Sequence, residues 1–374
     1  MRSTAIMSEP WKVANCQGIR VHYQDALDGG GLWMSPWLVD FFDRRSIPKQ
    51  QRIYEWCAGP AFLAFSLLGK GMCETLCLAD INPRAVEACQ RTIRDNGLSD
   101  RVSVYLSDNL KSIPETEKWD IVVSNPIHFA DAYPGDILRY DEGWQTHSEF
   151  FADVGKFLKR SGVVLLQENN WGSTVQTFEQ MIDDAGLKTI FTDNALPERT
   201  DGDHIYLLGA IRKEDRLPQW ALGPTPLAPY HVGDRIDFAR TGYPERYFTR
   251  GWSSPESWGT WTNGEIAELR LQPTKPHGAL ELVTEARAFV GPSLPAQVVD
   301  VMVNGNAVAQ LTFESPDAVE KRLRLPLSAV KPEGDIILTF RVPTAKSPAE
   351  LGMSSDPRQL GIGVISARLQ SVAS

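Results

Sequence analysis

Residues 52–69 read RIYEWCAGPAFLAFSLLG and combine a short apolar strand pattern, a turn of small residues and an apolar helix pattern. Glu55 ends the strand pattern, and the turn begins with Cys57-Ala58-Gly59. A turn of this kind after a central parallel strand brings backbone N–H groups and a helix N-terminus to a ligand at the switch point of a sheet. The loop lacks the GxGxxG spacing of a dinucleotide site, which favours a smaller, neutral or cationic nucleoside.

Outward from this stretch, strand-like apolar runs alternate with helix patterns between residues 51 and 213. The runs read RIYEW, ETLCLAD, RVSVYLS, DIVVSN, VVLLQEN, LKTIFTD and HIYLLGAI. Such alternation predicts an α/β domain with a Rossmann-like, doubly wound and mostly parallel sheet of seven strands. NALPERTDGD joins the last two runs without a helix, so we expect an antiparallel strand at one end of the sheet.

The segments on either side of residues 51–213 have different textures. Residues 1–50 are interpreted as an N-terminal cap or substrate segment, in which Gly29 to Gly31 predicts either a mobile loop or a substrate lid. Residues 214–232 are rich in proline and predict a linker. From 233 to 374, short runs alternate apolar and polar residues between Gly, Pro and Asn turns, which predicts an antiparallel β-sandwich domain.

Polar residues follow four consecutive strand patterns of the predicted sheet. Glu55 ends the first, Asp80 ends the second, Asp108-Asn109 ends the third and Asn125-Pro126 ends the fourth. Asp80 lies about 20 residues after Gly59, the separation at which an acidic side chain accepts hydrogen bonds from ribose hydroxyls. The carboxyl ends of these strands therefore present one polar rim to a ligand.

In this order, the motifs resemble those of the class I S-adenosylmethionine-dependent methyltransferases. EWCAGP resembles motif I, LADINP the ribose-binding motif II, SDN the adenine-contacting motif III and SNPIHF the catalytic motif IV of the Asn-Pro-Pro-aromatic type. The chain departs from these motifs at Cys57 and Ala61, which stand where motif I carries glycines, and at Ile127, which replaces the second proline. The resemblance implies S-adenosylmethionine as cofactor and a methyltransferase as the activity.

The resemblance also implies roles for particular residues. It implies catalytic roles for Asn125, Pro126 and His128, and cofactor contacts for Glu55, Cys57, Ala58, Gly59, Asp80, Ile81, Asp108, Asn109 and Asn125. Asn125-Pro126 would supply a side-chain amide oxygen and a backbone carbonyl as acceptors for a substrate N–H. A neutral imidazole at His128 is competent to accept the proton lost after transfer.

Further residues are candidates for substrate contact, each with a structural alternative. They are Phe129, Trp144, His147, Glu168 and Tyr23. Trp144, His147 and Phe150 recur at helical spacing, which is equally typical of a buried core stripe. In the second domain, three tryptophans within GWSSPESWGTWTNGE suit either domain packing or sugar stacking, and the segment weakly resembles sandwich domains attached to bacterial glycan-modifying enzymes.

Composition narrows the class of protein. The chain has 374 residues and a formal net charge of −9, which disfavours nucleic acid as a partner. Its five cysteines fit a reduced, cytoplasmic setting, and their spacing does not indicate a metal site. No apolar stretch is long enough to predict a membrane span.

These observations favour methylation of a nitrogen on a small molecule or a protein side chain. Two alternatives remain open at this point: O-methylation of a sugar hydroxyl, and a non-catalytic cofactor-binding protein whose sandwich binds a glycan or a partner. A homodimer through the second domain is a further possibility.

Overall fold

The computed structural model describes residues 9–130, 140–194, 205–222, 227–274, 279–326 and 335–372. The described residues divide into two units, one up to residue 222 and the other from residue 227 onward. No helix in these ranges is long and apolar enough to cross a membrane.

The first unit carries nine strands and five α-helices among its described residues. The strands are β1 (Lys12–Cys16), β2 (Ile19–Tyr23), β3 (Gln50–Glu55), β4 (Cys73–Asp80), β5 (Val102–Leu106), β6 (Trp119–Ser124), β7 (Leu158–Asn169), β8 (Leu187–Asn194) and β9 (Ile205–Arg212). The helices are α1 (Gly31–Arg44), α2 (Phe62–Gly69), α3 (Pro83–Asp95), α4 (Gln145–Val154) and α5 (Val175–Asp184).

Seven of these strands form one sheet in the order β5-β4-β3-β6-β7-β9-β8. The strands from β5 to β7 are parallel, and β9 runs antiparallel to both β7 and β8. The predicted Rossmann-like, mostly parallel sheet of seven strands is therefore confirmed, but the antiparallel strand is not at its end: β9 lies between β7 and β8, and the end strand β8 runs parallel to β7. The connecting segment NALPERTDGD lies largely outside the described residues. The strand order reverses between β3 and β6, which opens a crevice at their carboxyl ends.

Local sequence accounts for the helices that flank this crevice. Asn82 caps α3, since its side-chain oxygen accepts from the backbone N–H of Arg84 at 2.9 Å and Pro83 occupies the first turn. By contrast, seven of the eight residues of α2 are buried, so this helix is apolar on all sides and lies inside the unit.

The N-terminal segment belongs to the same unit as the sheet. β1 and β2 form a hairpin, and the backbone N–H of His22 donates to the Thr92 hydroxyl of α3 at 2.9 Å. The Tyr23 ring packs edge-on against Phe62 of α2, with centroids 5.3 Å apart. These contacts hold the segment before Gly29 against α2 and α3, the two helices that flank the crevice.

The second unit consists of two sheets that share one apolar core. Its strands are β10 (Pro229–His231), β11 (Ile236–Asp237), β12 (Phe248–Arg250), β13 (Thr260–Asn263), β14 (Ile266–Thr274), β15 (Leu280–Ala288), β16 (Gln297–Val303), β17 (Asn306–Phe313), β18 (Val319–Leu325), β19 (Ile336–Arg341) and β20 (Leu360–Ser371). One sheet has the order β10-β14-β19-β16-β17 with β12 beside β14, and the other β11-β20-β15-β18 with β13 beside β20. Leu269 and Val301 of one sheet and Leu282 and Val364 of the other belong to the same buried cluster, which confirms the predicted sandwich.

The predicted linker of residues 214–232 extends too far. Tyr230 of β10 is fully buried in the sandwich, and its hydroxyl accepts from the backbone N–H of Leu369 at 2.8 Å. β10 also pairs in parallel with β14. The proline-rich texture hides this strand because three residues are too few to show an alternating pattern.

The three clustered tryptophans of the second unit take part in packing. Trp252 is buried and stacks on Phe248 with centroids 4.8 Å apart. Trp258 lies under the guanidinium of Arg287, 3.7 Å from its ring centroid, and a Cβ on Gly363 would lie only 2.5 Å from the Trp258 ring. These contacts show the packing role; sugar stacking remains a sequence-based hypothesis.

Candidate active site

A cavity of about 500 Å³ lies at the carboxyl ends of β3, β4, β5 and β6. Ten of the predicted site residues line it: Glu55, Cys57, Ala58, Gly59, Asp80, Ile81, Asp108, Asn109, Asn125 and Pro126. Segments without a recognisable motif complete the wall, namely Leu27 to Gly29, Gly31, Phe62 and Thr146. The sequence singled out only Gly29 and Gly31 among these residues, and the fold alone brings the others to the motifs.

The β3–α2 loop takes a glycine-like backbone path at three positions. Cys57, Gly59 and Ala61 have φ of +50°, +51° and +63°, in the left-handed region. A Cβ on Gly59 would lie 3.2 Å from the Leu27 carbonyl oxygen, so a side chain there is sterically hindered as well. The two departures from motif I therefore retain the loop geometry, at a conformational cost of about 1–2 kcal/mol for each non-glycine residue.

This backbone path gives a stability prediction. In Ala61→Gly, relief of left-handed strain offsets the loss of a buried methyl group, so we expect the free energy of unfolding to change by less than about 1 kcal/mol. The matched variant Ala64→Gly, equally buried but within α2, should lose about 1–2 kcal/mol. Urea unfolding of both variants tests this, and equal losses would contradict the strained path.

Glu55 holds the start of α2 from the end of β3. Its buried carboxylate accepts from the backbone N–H of Ala64 at 2.7 Å, and the N–H of Leu63 also interacts with it. No side chain of the preceding loop caps this helix, so Glu55 takes that function. Burial raises the pKa of Glu55 to about 8, although the two N–H groups act in the opposite direction.

Asp80 joins the first two loops of the site. One carboxylate oxygen accepts from the backbone N–H of Gly59 at 2.7 Å and the other from that of Asn82 at 2.8 Å. Burial raises the pKa of Asp80, and the backbone donors only partly compensate. Each oxygen keeps a second lone pair for a ligand hydroxyl.

Asp108 and Asn109, which follow β5, differ from each other in their exposure to solvent. The Asp108 carboxylate is more than half exposed and pairs with Lys111 at 2.8 Å. Asn109 is buried, and its amide nitrogen donates to the Thr146 carbonyl oxygen at 2.9 Å. The Asn109 side-chain oxygen is buried without a hydrogen-bond partner among the described residues. Ile81 is 66% exposed at the rim of the cavity.

Asn125 follows β6 and faces the glycine segment. Its side-chain nitrogen donates to the Gly29 carbonyl oxygen at 3.0 Å, while its side-chain oxygen is buried with no partner among the described residues. The cap residue of α1, Gly30, has a φ of +100°, and Asp28 accepts from its N–H at 2.9 Å. The glycines thus let the chain turn sharply over Asn125 and begin α1 beside the cavity.

The other predicted residues do not line the cavity. Tyr23 packs on Phe62, as described above, and Trp144, His147 and Glu168 are buried, His147 and Glu168 completely. His147 lies between Asp141 and Glu168, and the latter approaches His128. Phe129 is partly buried, and a Cβ on Gly172 would lie 2.9 Å from its ring. Asp141 was not predicted, because a lone aspartate in a turn carries no distinguishing pattern.

Each of the two units contains a region that matches the model of a protein family. Residues 18–188 match the family described as "Methyltransferase small domain", and residues 228–371 match "Domain of unknown function (DUF7024)". The match to residues 18–188 agrees with the resemblance of the motifs in the first unit to class I S-adenosylmethionine-dependent methyltransferases.

Solved structures are similar to part of this chain at low identity. A tRNA methyltransferase of M. jannaschii is 15% identical, with a TM-score of 0.38 over 55% of this chain and 58% of its own. The 16S rRNA N2 methyltransferase RsmC of T. thermophilus, in complex with AdoMet and guanosine, is 16% identical, with a TM-score of 0.38 over 55% and 50%. TYW2 of M. jannaschii, in complex with AdoMet, is 16% identical, with a TM-score of 0.39 over 54% and 85%. The matched region spans little more than half the length of the first two proteins.

The expectation that nucleic acid is a disfavoured partner is wrong. It rested on the net charge of −9, whereas the proteins with similar structures include tRNA and rRNA methyltransferases. A net charge is summed over both units, so it does not describe the surface around one cavity.

Proposed function

We propose that this chain transfers the methyl group of S-adenosylmethionine to a nitrogen atom that carries a hydrogen. The observation that carries the proposal is the side-chain oxygen of Asn125, a buried acceptor without a partner among the described residues. It belongs to a residue that lines the cavity together with Pro126. Since a buried acceptor without a partner costs about 1–3 kcal/mol, a substrate N–H that satisfies it binds with a defined orientation.

The chemistry of the cavity fits the cofactor. Asp80 would accept from the ribose hydroxyls, Asn109 offers its unpartnered oxygen to the exocyclic amine of adenine, and Glu55 offers a carboxylate to the ammonium group. Cys57 to Gly59 allow a ligand to approach the backbone, because their side chains are small. When bound, the cofactor supplies an electrophilic methyl group on a sulfonium.

The residues of the chain orient the acceptor nitrogen. Hydrogen bonds from the nitrogen to the Asn125 side-chain oxygen and the Pro126 carbonyl would direct its lone pair toward the methyl group. Alignment and exclusion of water then supply most of the rate enhancement, since this displacement disperses charge and needs no strong acid. The segment Gly29 to Gly31 covers Asn125 and limits access of water.

A methyl-transfer assay tests the proposal. The purified protein and S-adenosylmethionine with a labelled methyl group are incubated with separate acceptors: total RNA, single nucleosides, a protein extract, amines and sugars. We expect label on a nitrogen, identified by mass spectrometry and NMR of the product. Label on oxygen would overturn the proposal, as would cofactor binding without transfer to any acceptor.

Cofactor binding should release a proton through Glu55. In the free protein the pKa of Glu55 is about 8, so its carboxyl group is mostly protonated at pH 7. An ammonium group placed beside it favours the carboxylate, and close to one proton should therefore leave. Calorimetric titration with S-adenosylhomocysteine in two buffers of different ionisation enthalpy measures this release.

The release should fade above about pH 9, where Glu55 is already ionised, and disappear in Glu55→Gln. The matched control is Glu74→Gln, an exposed carboxylate paired with Lys49 at 2.6 Å, which should behave as wild type. A binding enthalpy that is identical in both buffers would show that Glu55 does not face the ammonium group.

A further inference from the structure

A buried row of charged side chains leads away from the catalytic motif. The Asp141 carboxylate lies 2.7 Å from Nδ1 of His147, and Nε2 of His147 lies 3.2 Å from Oε1 of Glu168. The side chains of His147 and Glu168 have no exposed surface, and that of Asp141 is 1% exposed. Ionisable groups are almost never buried this completely unless they are paired, so the row is a built arrangement.

The row ends at His128 in the catalytic motif. The second carboxylate oxygen of Glu168 lies 3.9 Å from Nδ1 of His128, whose side chain is 12% exposed. Both atoms are buried and have no hydrogen-bond partner among the described residues. The loop after β7 is held against this motif, because a Cβ on Gly172 would lie 1.8 Å from the His128 carbonyl oxygen.

The charges of Asp141, His147 and Glu168 do not cancel one another. Burial alone would lower the pKa of His147, but the hydrogen bonds to Asp141 and Glu168 raise it to about 9. Burial likewise opposes ionisation of Glu168 and Asp141, yet their histidine partners hold both pKa values below the ordinary range. Two carboxylates and one imidazolium leave one net negative charge beside His128.

Two further titratable groups in the described part of the chain interact with Glu168, and both are neutral near pH 7. Burial raises the pKa of the Cys57 thiol and of the Tyr206 phenol, and both groups interact with Glu168. The Tyr206 hydroxyl is already paired with the hydroxyl of Ser173 at 2.7 Å. The charge of Glu168 therefore faces His128, whose Nδ1 lies 3.9 Å from its carboxylate oxygen.

We propose that Asp141, His147 and Glu168 are positioning residues that hold His128 with Nδ1–H toward Glu168 and Nε2 free to accept the proton lost by the methylated nitrogen. This inference rests on the proposed function. The aromatic rings of Trp56, Trp144 and Phe178 enclose His147 at centroid distances of 5.0–5.2 Å and keep the row dry and rigid.

The proposed step balances in atoms and charge. The nitrogen lone pair forms the N–C bond, and the electron pair of the breaking C–S bond stays on sulfur. The nitrogen then carries a positive charge and still holds the hydrogen that it had before the transfer. That proton passes to Nε2 of His128, where the net negative charge of the row stabilises it, and leaves to solvent before the next turnover.

NMR of the protein labelled with ¹⁵N-histidine tests the arrangement without cofactor or acceptor. We expect neutral His128 in wild type to carry its proton on Nδ1, since the hydrogen bond made by one ring nitrogen fixes the tautomer. In Glu168→Gln the population should shift toward the Nε2–H form. An Nε2–H tautomer in wild type, or an unchanged tautomer in the variant, would overturn the proposal.

Once an acceptor is known, enzyme kinetics provide a second test of the proposal. Glu168→Gln should lower kcat about 10- to 100-fold and leave the KM of the acceptor within about threefold, as expected for impaired proton transfer. The control Glu149→Gln removes a partly exposed carboxylate of α4 that pairs with Lys111 at 3.1 Å, and it should keep wild-type kcat. Wild-type kcat in a folded Glu168→Gln would overturn the proposed role of Glu168 in positioning His128.

The two proposals fail in distinguishable ways. Absence of N-methylation by the wild type would overturn the proposed function, whereas the tautomer of His128 is measured independently of turnover. If Glu168→Gln does not fold, the tautomer of His128 in the wild type still tests the proposed positioning of His128.

Discussion

Asn125→Ala is expected to lower kcat by about 100- to 1000-fold, while the affinity for S-adenosylhomocysteine changes less than about threefold. Loss of one positioned hydrogen-bonding group that acts in the transition state typically has an effect of this size. The side-chain oxygen of Asn125 is such a group, because it is buried, unpartnered among the described residues and beside the cavity. Steady-state kinetics and calorimetry measure the two quantities separately.

The amide nitrogen of Asn125 offers a second explanation for a loss of activity in Asn125→Ala. A further variant distinguishes the two explanations. It donates to the Gly29 carbonyl oxygen, so alanine also releases the glycine segment. Asn125→Asp keeps an acceptor oxygen and loses this donor. If the acceptor is what matters, Asp retains more activity than Ala; if the link to Gly29 matters, Asp is at least as impaired.

A matched amide deletion away from the cavity controls for general effects. Asn15 is exposed, and its side chain accepts from the N–H of Gly18 in the β1–β2 turn at 2.8 Å. Asn15→Ala should keep wild-type kcat. Normal turnover by Asn125→Ala would remove Asn125 from the proposed mechanism.

Asp80→Ala is expected to weaken S-adenosylhomocysteine binding at least about 100-fold. Two hydroxyl groups that donate to one carboxylate contribute about 1.5–3 kcal/mol each, and the variant loses both. It also loses the acceptors for the N–H groups of Gly59 and Asn82, so the two loops that shape the cavity should loosen. Calorimetric titration measures the affinity, and thermal unfolding measures the accompanying destabilisation.

Variants at three aspartates separate the specific contact of Asp80 with the ligand from the general effect of removing a negative charge. Asp80→Asn keeps one acceptor oxygen and should show an intermediate loss. Asp108→Ala should show a smaller loss than Asp80→Ala, because the Asp108 carboxylate is exposed and paired with Lys111. The exposed residue Asp100 serves as control, and its replacement by alanine should leave binding unchanged. Wild-type affinity in a folded Asp80→Ala would contradict the assignment of the ribose contact.

The sheet and the polar rim were predictable because both follow from short-range patterns. Buried parallel strands are short apolar runs, and a polar residue at the end of such a run is placed at the sheet edge by strand geometry alone. Glu55, Asp80, Asn109 and Asn125 were found in this way, and all four line the cavity. The left-handed path through Cys57 and Ala61 was not predictable, since neither residue type favours it.

The buried row was only partly predictable for a related reason. His147 was singled out by its helical spacing and Glu168 by its place at the end of a strand pattern, and both were candidates for substrate contact. The tertiary structure instead closes α4 over the end of β7 and buries them beside Asp141, far in sequence from the motifs.

By itself, the sequence determined the class of fold, the order of the motifs and their resemblance to one class of methyltransferases, because hydrophobic periodicity and motif spacing are local properties of a chain. Only the tertiary structure decided which side chains line the cavity, which are enclosed behind it, and which polar atoms have no partner among the described residues. Burial and hydrogen bonding depend on contacts between segments distant in sequence. The glycine segment over Asn125 and the row from His128 to Asp141 exist through such contacts.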